Sequence, residues 1–205
     1  MFITIEGPEG SGKTTAAKKI IEILTSRGHE VIYTREPGGS EIAESIRNII
    51  LDKKNTLMDR KTEVLLFAAS RRQHLVEKVL PALEQGKIVI CDRFVDSSLA
   101  YQGHARGAGI DDVFKINYYA IEGRLPDLTI YFDIDAKTGL NRISVDKNRE
   151  VNRLDLEKVD FHNLVREGYL KLCDMFPERI EKIDASRTVE EVVASAMEVI
   201  DRKMK

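Results

Sequence analysis

The sequence predicts an α/β protein with three layers, a five-stranded parallel sheet between helices, plus a lid segment late in the chain. Three observations carry this. Strand-like and helix-like periodicities alternate along all 205 residues. Residues 7–14, Gly-Pro-Glu-Gly-Ser-Gly-Lys-Thr, have the G-x-x-x-x-G-K-[ST] spacing of a phosphate-cradling loop, set between an apolar run and a helical pattern. A charged, weakly apolar stretch, Ser144–Asp155, interrupts the regular patterning.

The elements follow in order. Phe2–Glu6 is a short apolar run that suits a buried strand. In the loop, Gly7, Gly10 and Gly12 let the backbone curl so that successive N–H groups point inward, with Pro8, Glu9 and Ser11 completing it. The helix expected over Lys13–Ser26 carries Ala17, Ile20, Ile21 and Leu24 at helical spacing, and its N-terminus attracts anions. This is a P-loop nucleotide site for ATP and Mg2+: Lys13 supplies a cation for the outer phosphates and Thr14 a hydroxyl for the metal. Further strands are expected over Glu30–Thr34, Lys87–Cys91, Leu128–Asp133 and Arg179–Asp184. Helical patterns fall on Ser40–Leu51, Lys61–Glu84, Asp96–Gln102, Ile110–Ile121, Ala136–Ile143, Phe161–Met175 and Val189–Lys203, the last preceded by a capping pattern at 186–190. In such folds ligands sit at the carboxyl ends of the strands. The run Ile88–Arg93 ends there in an acid and a base. Asp92 reads either as a second residue approaching the metal, directly or through water, or as a helix cap. Arg93 would project toward the same phosphates. Ser144–Asp155 reads as a lid or as a solvated connection.

Composition narrows the class. The length suits one domain, residues 1–205. Lys plus Arg number 32 against 34 Asp plus Glu, so net charge gives no reason to expect a nucleic acid polymer or a membrane as partner. No apolar stretch approaches the ~18 residues of a membrane span. With no targeting pattern, and with Cys91 and Cys173 far apart in sequence, a cytoplasmic protein with two free thiols is expected. A guanine-reading Asn-Lys-x-Asp motif is missing, and a motor or large ATPase usually needs more chain. A small kinase acting on a phosphorylated acceptor remains.

Four stretches together resemble the thymidylate kinase family: Arg35-Glu36-Pro37-Gly38-Gly39, residues 67–74 (Phe-Ala-Ala-Ser-Arg-Arg-Gln-His), residues 92–103 and Asn152-Arg153-Leu154-Asp155. The similarity runs from the first strand to the helix after the lid. One departure is Phe94, where the family often has Tyr or His. The resemblance implies transfer of the ATP γ-phosphoryl group to dTMP, giving dTDP and ADP, by a protein that is commonly a homodimer. It also implies roles. Arg47 and Arg93 would hold the acceptor phosphate, Phe67 would stack on thymine, and Arg71 would donate to thymine O4. Gln102 would meet the N3–H edge, and Tyr101 would pack under the deoxyribose. Glu9 could accept from the 3′-hydroxyl, Ser98 could contact the substrate, and Glu36 would order neighbouring arginines. Some members carry an arginine at the place of Gly10; those with glycine supply it from the lid, where Arg149 is the leading candidate and Arg142 the next. Read from the residues alone, Phe67 belongs to the core with Val64, Leu65 and Leu66, and His74 is a packing residue. Two rivals stand beside this reading: a kinase of the same fold with another acceptor, and a slowly hydrolysing nucleotide switch.

Overall fold

A computed structural model describes residues 1–145 and 153–205, for 144, 145, 155 and 156 the backbone alone. Its sheet has five parallel strands in the order β2-β3-β1-β4-β5: β1 (Phe2–Glu6), β2 (Val31–Arg35), β3 (Ile88–Asp92), β4 (Leu128–Asp133) and β5 (Ile180–Asp184). The expected ranges are met within one residue at each end. Helix α1 is Lys13–Ser26, α2 Glu41–Leu51 and α3 Arg60–His74. The long pattern that begins with α3 continues through a π-helical turn, Leu75–Val79, into α4, Leu80–Glu84. Helix α5, Val95–Ser98, likewise widens into a π-helical segment, Leu99–Ala105. There follow α6 (Ile110–Ala120), α7 (Ala136–Val145), a 3-10 turn (Arg153–Leu156), α8 (Val159–Met175) and α9 (Val189–Lys203). Thr188 caps α9 reciprocally with Glu191. Most of the expected lid, and with it Arg149, lies outside the described residues.

Alternation along β1 sorts the two faces. Ile3 and Ile5 join Ala17, Ile20, Leu24, Val193 and Ile200 in a core beneath α1 and α9. Phe2 points to the opposite core, with Leu75, Val79, Val89, Phe94, Leu99, Val165 and Leu172. On that second face β1 also carries two buried polar residues, Thr4 and Glu6. Both are satisfied, as burial requires. Thr4 shares a hydrogen bond with Thr129 (2.8 Å). Thr129 in turn donates to Asp96 (3.0 Å), whose carboxylate accepts two N–H groups of Arg179 at 2.6 and 2.8 Å. This buried knot pins the start of α5 over the sheet and so aims the residues that follow it.

Candidate functional site

The phosphate loop closes on itself through Lys13. Its ammonium donates to the Gly7 and Pro8 carbonyls (3.0 and 2.9 Å) and to Ser11 Oγ (3.2 Å). Burial, helped by nearby Arg93, pulls its pKa down to about 8. Gly12, with φ 81°, turns the chain into α1 without a side-chain cap, so the first N–H groups of the helix face the loop. Gly10 is required twice over. Its φ is +72°, and a Cβ there would lie 2.0 Å from the Gly139 carbonyl oxygen. Helix α7 therefore occupies the space that an arginine at position 10 would need.

At the carboxyl end of β3, Asp92 receives hydrogen bonds from Thr14 Oγ1 (3.1 Å) and the Tyr33 hydroxyl (3.3 Å). Among the described residues, three or more His, Cys, Asp or Glu side chains nowhere gather as a metal cage. The Thr14–Asp92 pair offers two hard oxygens instead. That fits Mg2+, which keeps waters and takes its remaining ligands from substrate phosphates.

Arg93 lies just past the strand with φ 69°, a conformation costly for a residue with a side chain. Neighbours hold it there. Its backbone N–H donates to Ile5 (3.0 Å), and Glu6 accepts the next N–H, that of Phe94, at 2.7 Å. Glu6 also accepts from Ser97 (2.6 Å) and Tyr169 (2.9 Å). Burial, with Asp96 adding, raises its carboxyl to about 7. The Arg93 guanidinium meets Glu9 at 2.7 Å and lies 5.0 Å from the centre of the Tyr101 ring. Glu9 further accepts from the Tyr101 hydroxyl (3.3 Å). This joins the loop to the neighbouring wall.

That wall belongs to a cleft of about 290 Å³, at the lower end of the range for small ligands. Glu9, Glu36, Arg47, Phe67, Arg93, Tyr101 and Gln102, named from the sequence for the nucleotides, line it together with Asp92, named for the metal. Arg35, Pro37, Leu51, Ser97 and Leu154 line it too, without having been singled out for it. Phe67 packs with Ile50, Leu51 and Leu154, so it is both core and lining.

Two of the eight expected acceptor residues lie a layer deeper. Arg71 is 1% exposed; it donates to Glu36 (2.8 Å), Ser98 (3.0 Å), the Phe94 carbonyl (2.9 Å) and Asn117. Four of its five N–H groups are thus taken, leaving one without a described partner. Ser98 is the residue accepting from Arg71, so of the two adjacent serines it is Ser97 that lines the cleft. Glu36 orders arginine as expected, and its second oxygen meets His74 Nδ1 at 2.8 Å, while His74 Nε2 pairs with Thr34 (2.6 Å). His74 is therefore part of a buried relay rather than simple packing.

Arg142 lies away from that cleft. It donates to the Ala185 and Ser186 carbonyls (2.9 and 3.3 Å) and grazes the Gly10 carbonyl at 3.5 Å. In this position it ties the segment after β5 to the phosphate loop instead of projecting between two nucleotides. Glu63, which accepts from Gln102 and Arg153, went unnoticed in the sequence. The signal was there: Glu63, Phe67, Ser70, Arg71 and His74 recur at helical spacing and are all buried on α3.

The family model described as thymidylate kinase matches residues 5–196. A thymidylate kinase of Bacillus velezensis is 59% identical over 205 residues, covering 100% of this chain and 97% of that protein. One from Clostridium novyi is 61% identical over 191 residues, 93% of each. The crystal structure of thymidylate kinase from Ehrlichia chaffeensis superposes with a TM-score of 0.78 at 34% identity, covering 98% of both chains. The chain belongs to the thymidylate kinase family.

Proposed function

We infer that this protein phosphorylates dTMP to dTDP with ATP, as one catalytic domain spanning residues 1–205. The observation that carries the reading is the Glu9–Arg93 contact, which joins the phosphate loop to a cleft lined by Arg35, Arg47 and Arg93 and by the rings of Phe67 and Tyr101. Two anionic nucleotides must meet end to end, and each close pair of unit charges repels by about 1 kcal/mol in water and by more in a drier site. Cations have to offset this and follow the charge into transfer. Lys13 exchanges its loop carbonyls for the outer phosphate oxygens of ATP. Arg93 and Arg47 grip the acceptor phosphate, for which the guanidinium fork is suited. A bond forms between an acceptor phosphate oxygen and the γ-phosphorus as the bond to the β,γ-bridging oxygen breaks, leaving ADP. No general base is needed, because the attacking oxygen is already anionic. Thr14 and Asp92 would hold Mg2+, which would supply positive charge to the phosphates.

Phe67 stacks on the base, Gln102 reads its N3–H edge, and Tyr101 packs against the sugar, with Glu9 near the 3′-hydroxyl. Arg71 serves thymine O4 through its remaining N–H, and Glu36 and Ser98 hold that guanidinium flat from below. Arg149 is the arginine we assign to the transferring group, with Arg142, which reaches the Gly10 carbonyl of the phosphate loop, as the next candidate.

A homodimer is supported by Leu65, Tyr118 and Tyr119, large apolar side chains of α3 and α6 that are 57%, 49% and 87% exposed around one shallow depression. Two free cysteines suit a cytoplasmic setting, and no described helix is long and apolar enough to cross a membrane.

ADP release in Mg-ATP tests the reading. It should accelerate strongly on adding dTMP and far less on adding dCMP. Slow release indifferent to dTMP would instead favour the nucleotide switch.

A further inference from the structure

Gln102 can read a base only if something decides which end of its amide faces the cleft. A carboxamide is nearly symmetric in shape, and its two ends are opposite in hydrogen-bonding sense. Left free to turn, it would accept from the N3–H of thymine or donate to the bare N3 of cytosine equally well. We propose that Glu63 is the specificity-determining positioning residue that fixes this orientation. The proposal rests on the reading of the cleft as a dTMP site.

The geometry is local and closed. Gln102 is 1% exposed, lines the cleft, and donates its Nε2–H to Glu63 Oε1 at 2.9 Å. Glu63 is 2% exposed on the first turn of α3. Its other oxygen accepts from Arg153 Nη2 at 2.5 Å, and Arg106 Nε stands 3.6 Å from Oε1. Arg153 is fixed in turn by its Nε–H on the Ile50 carbonyl (2.9 Å), and Arg106 by Glu157 (2.7 Å). Between two guanidinium groups Glu63 is an acceptor and nothing else. Only the NH2 end of Gln102 can face it. The carbonyl end, which accepts from no described donor, is left for the base. Thymine and uracil present N3–H and are accepted. Cytosine presents a lone pair at N3, which meets a second lone pair in a buried place and is rejected.

Glu63→Gln keeps the shape but can present either end of its own amide, so Gln102 becomes free to turn. The ratio of kcat/KM for dTMP over dCMP should fall about tenfold or more, the scale of one buried mismatched hydrogen bond. The dTMP over dUMP ratio should stay fixed, since both bases carry N3–H. A general loosening of the fold would not separate the two ratios. In a Gln102→Leu background, Glu63→Gln should change neither. Intact thermal melting together with an unchanged dTMP/dCMP ratio in Glu63→Gln would overturn the proposal, and so would an equal change in the Gln102→Leu background. If Glu63→Gln does not fold, Gln102→Leu decides: it must lower the dTMP/dCMP ratio to what the Arg71 contact with O4 leaves, and an unchanged ratio refutes the assignment. Wild-type protein unresponsive to dTMP would sink the functional reading itself; dTMP turnover indifferent to Glu63→Gln sinks only this one.

Discussion

The phosphate loop binds Lys13 with three acceptors drawn from residues 7–11, whereas the neighbouring cleft draws its lining from positions as far apart as Glu9 and Leu154. The first is a local device, made of backbone and finished within one turn of helix. The second is assembled by tertiary structure, and buried ion pairs hold it in shape: Glu36 with Arg71, Glu63 with Arg153, Asp96 with Arg179. The difference predicts that damage at the donor end should be kinetic, and damage at the acceptor end both structural and kinetic.

Arg71→Ala probes this hardest. It strands the Glu36 carboxylate, which is 2% exposed, without its guanidinium partner. Removing one member of a buried pair costs about 3–5 kcal/mol, so the melting temperature should drop by many degrees along with dTMP turnover. Loss of activity at native stability would mean that Arg71 reads the base without building the cleft.

Lys13→Ala should do the reverse. We expect kcat to fall by about 10²–10³-fold, the scale of losing one charge-stabilising donor, with the KM for dTMP nearly unchanged. Stability should hold at pH 7. The folded-state pKa of Lys13, about 8, lies below its unfolded value of about 10.4. The unfolded chain therefore binds more protons between those values, and stability rises with pH across that window. Below pH 8 the cost of burying the ammonium is present in full, and alanine relieves it. A large drop in melting temperature at pH 7 would contradict this.

The same titration sets a smaller, pH-dependent effect. As pH rises through about 8 the free enzyme loses the Lys13 charge, so kcat/KM for ATP should decline, approaching tenfold per unit. The profile for dTMP at saturating ATP should lack that limb. A flat ATP profile from pH 7 to 9.5 would show that Lys13 stays charged throughout.

Smallest is Phe67→Leu. It keeps the apolar contact with Leu51 and Leu154 but removes the ring face, worth about 0.5–1.5 kcal/mol. The KM for dTMP should rise severalfold with the KM for ATP unmoved. Equal rises in both would place Phe67 in the core alone.

The same contrast explains what could be read in advance. The loop, the strand–helix alternation and the acid–base pair at 92 and 93 are short-range patterns, so spacing reveals them. The strand ends differ from the expected ones by one residue at both ends of β2 and β3 and at the start of β5, within the uncertainty of any element boundary. The acceptor cleft was legible only through its resemblance to a known family, because no spacing rule links residue 36 to 71 or 63 to 153. Even the resemblance did not tell lining from support: Ser97 and Ser98 are adjacent, and the turn of α5 decides which one faces the cleft. The π-helical widening at Leu99–Ala105, which presents Tyr101 and Gln102, leaves no mark in hydrophobic periodicity.

A crystal structure with ADP and dTMP bound tests the central claim most directly. The account predicts the thymine ring against Phe67 with its N3–H on Gln102 Oε1, the acceptor phosphate on Arg47 and Arg93, and the ADP phosphates in the loop in place of the Lys13–carbonyl bonds. A base lying away from Phe67 and Gln102, with the cleft filled by anything other than the acceptor, would contradict it.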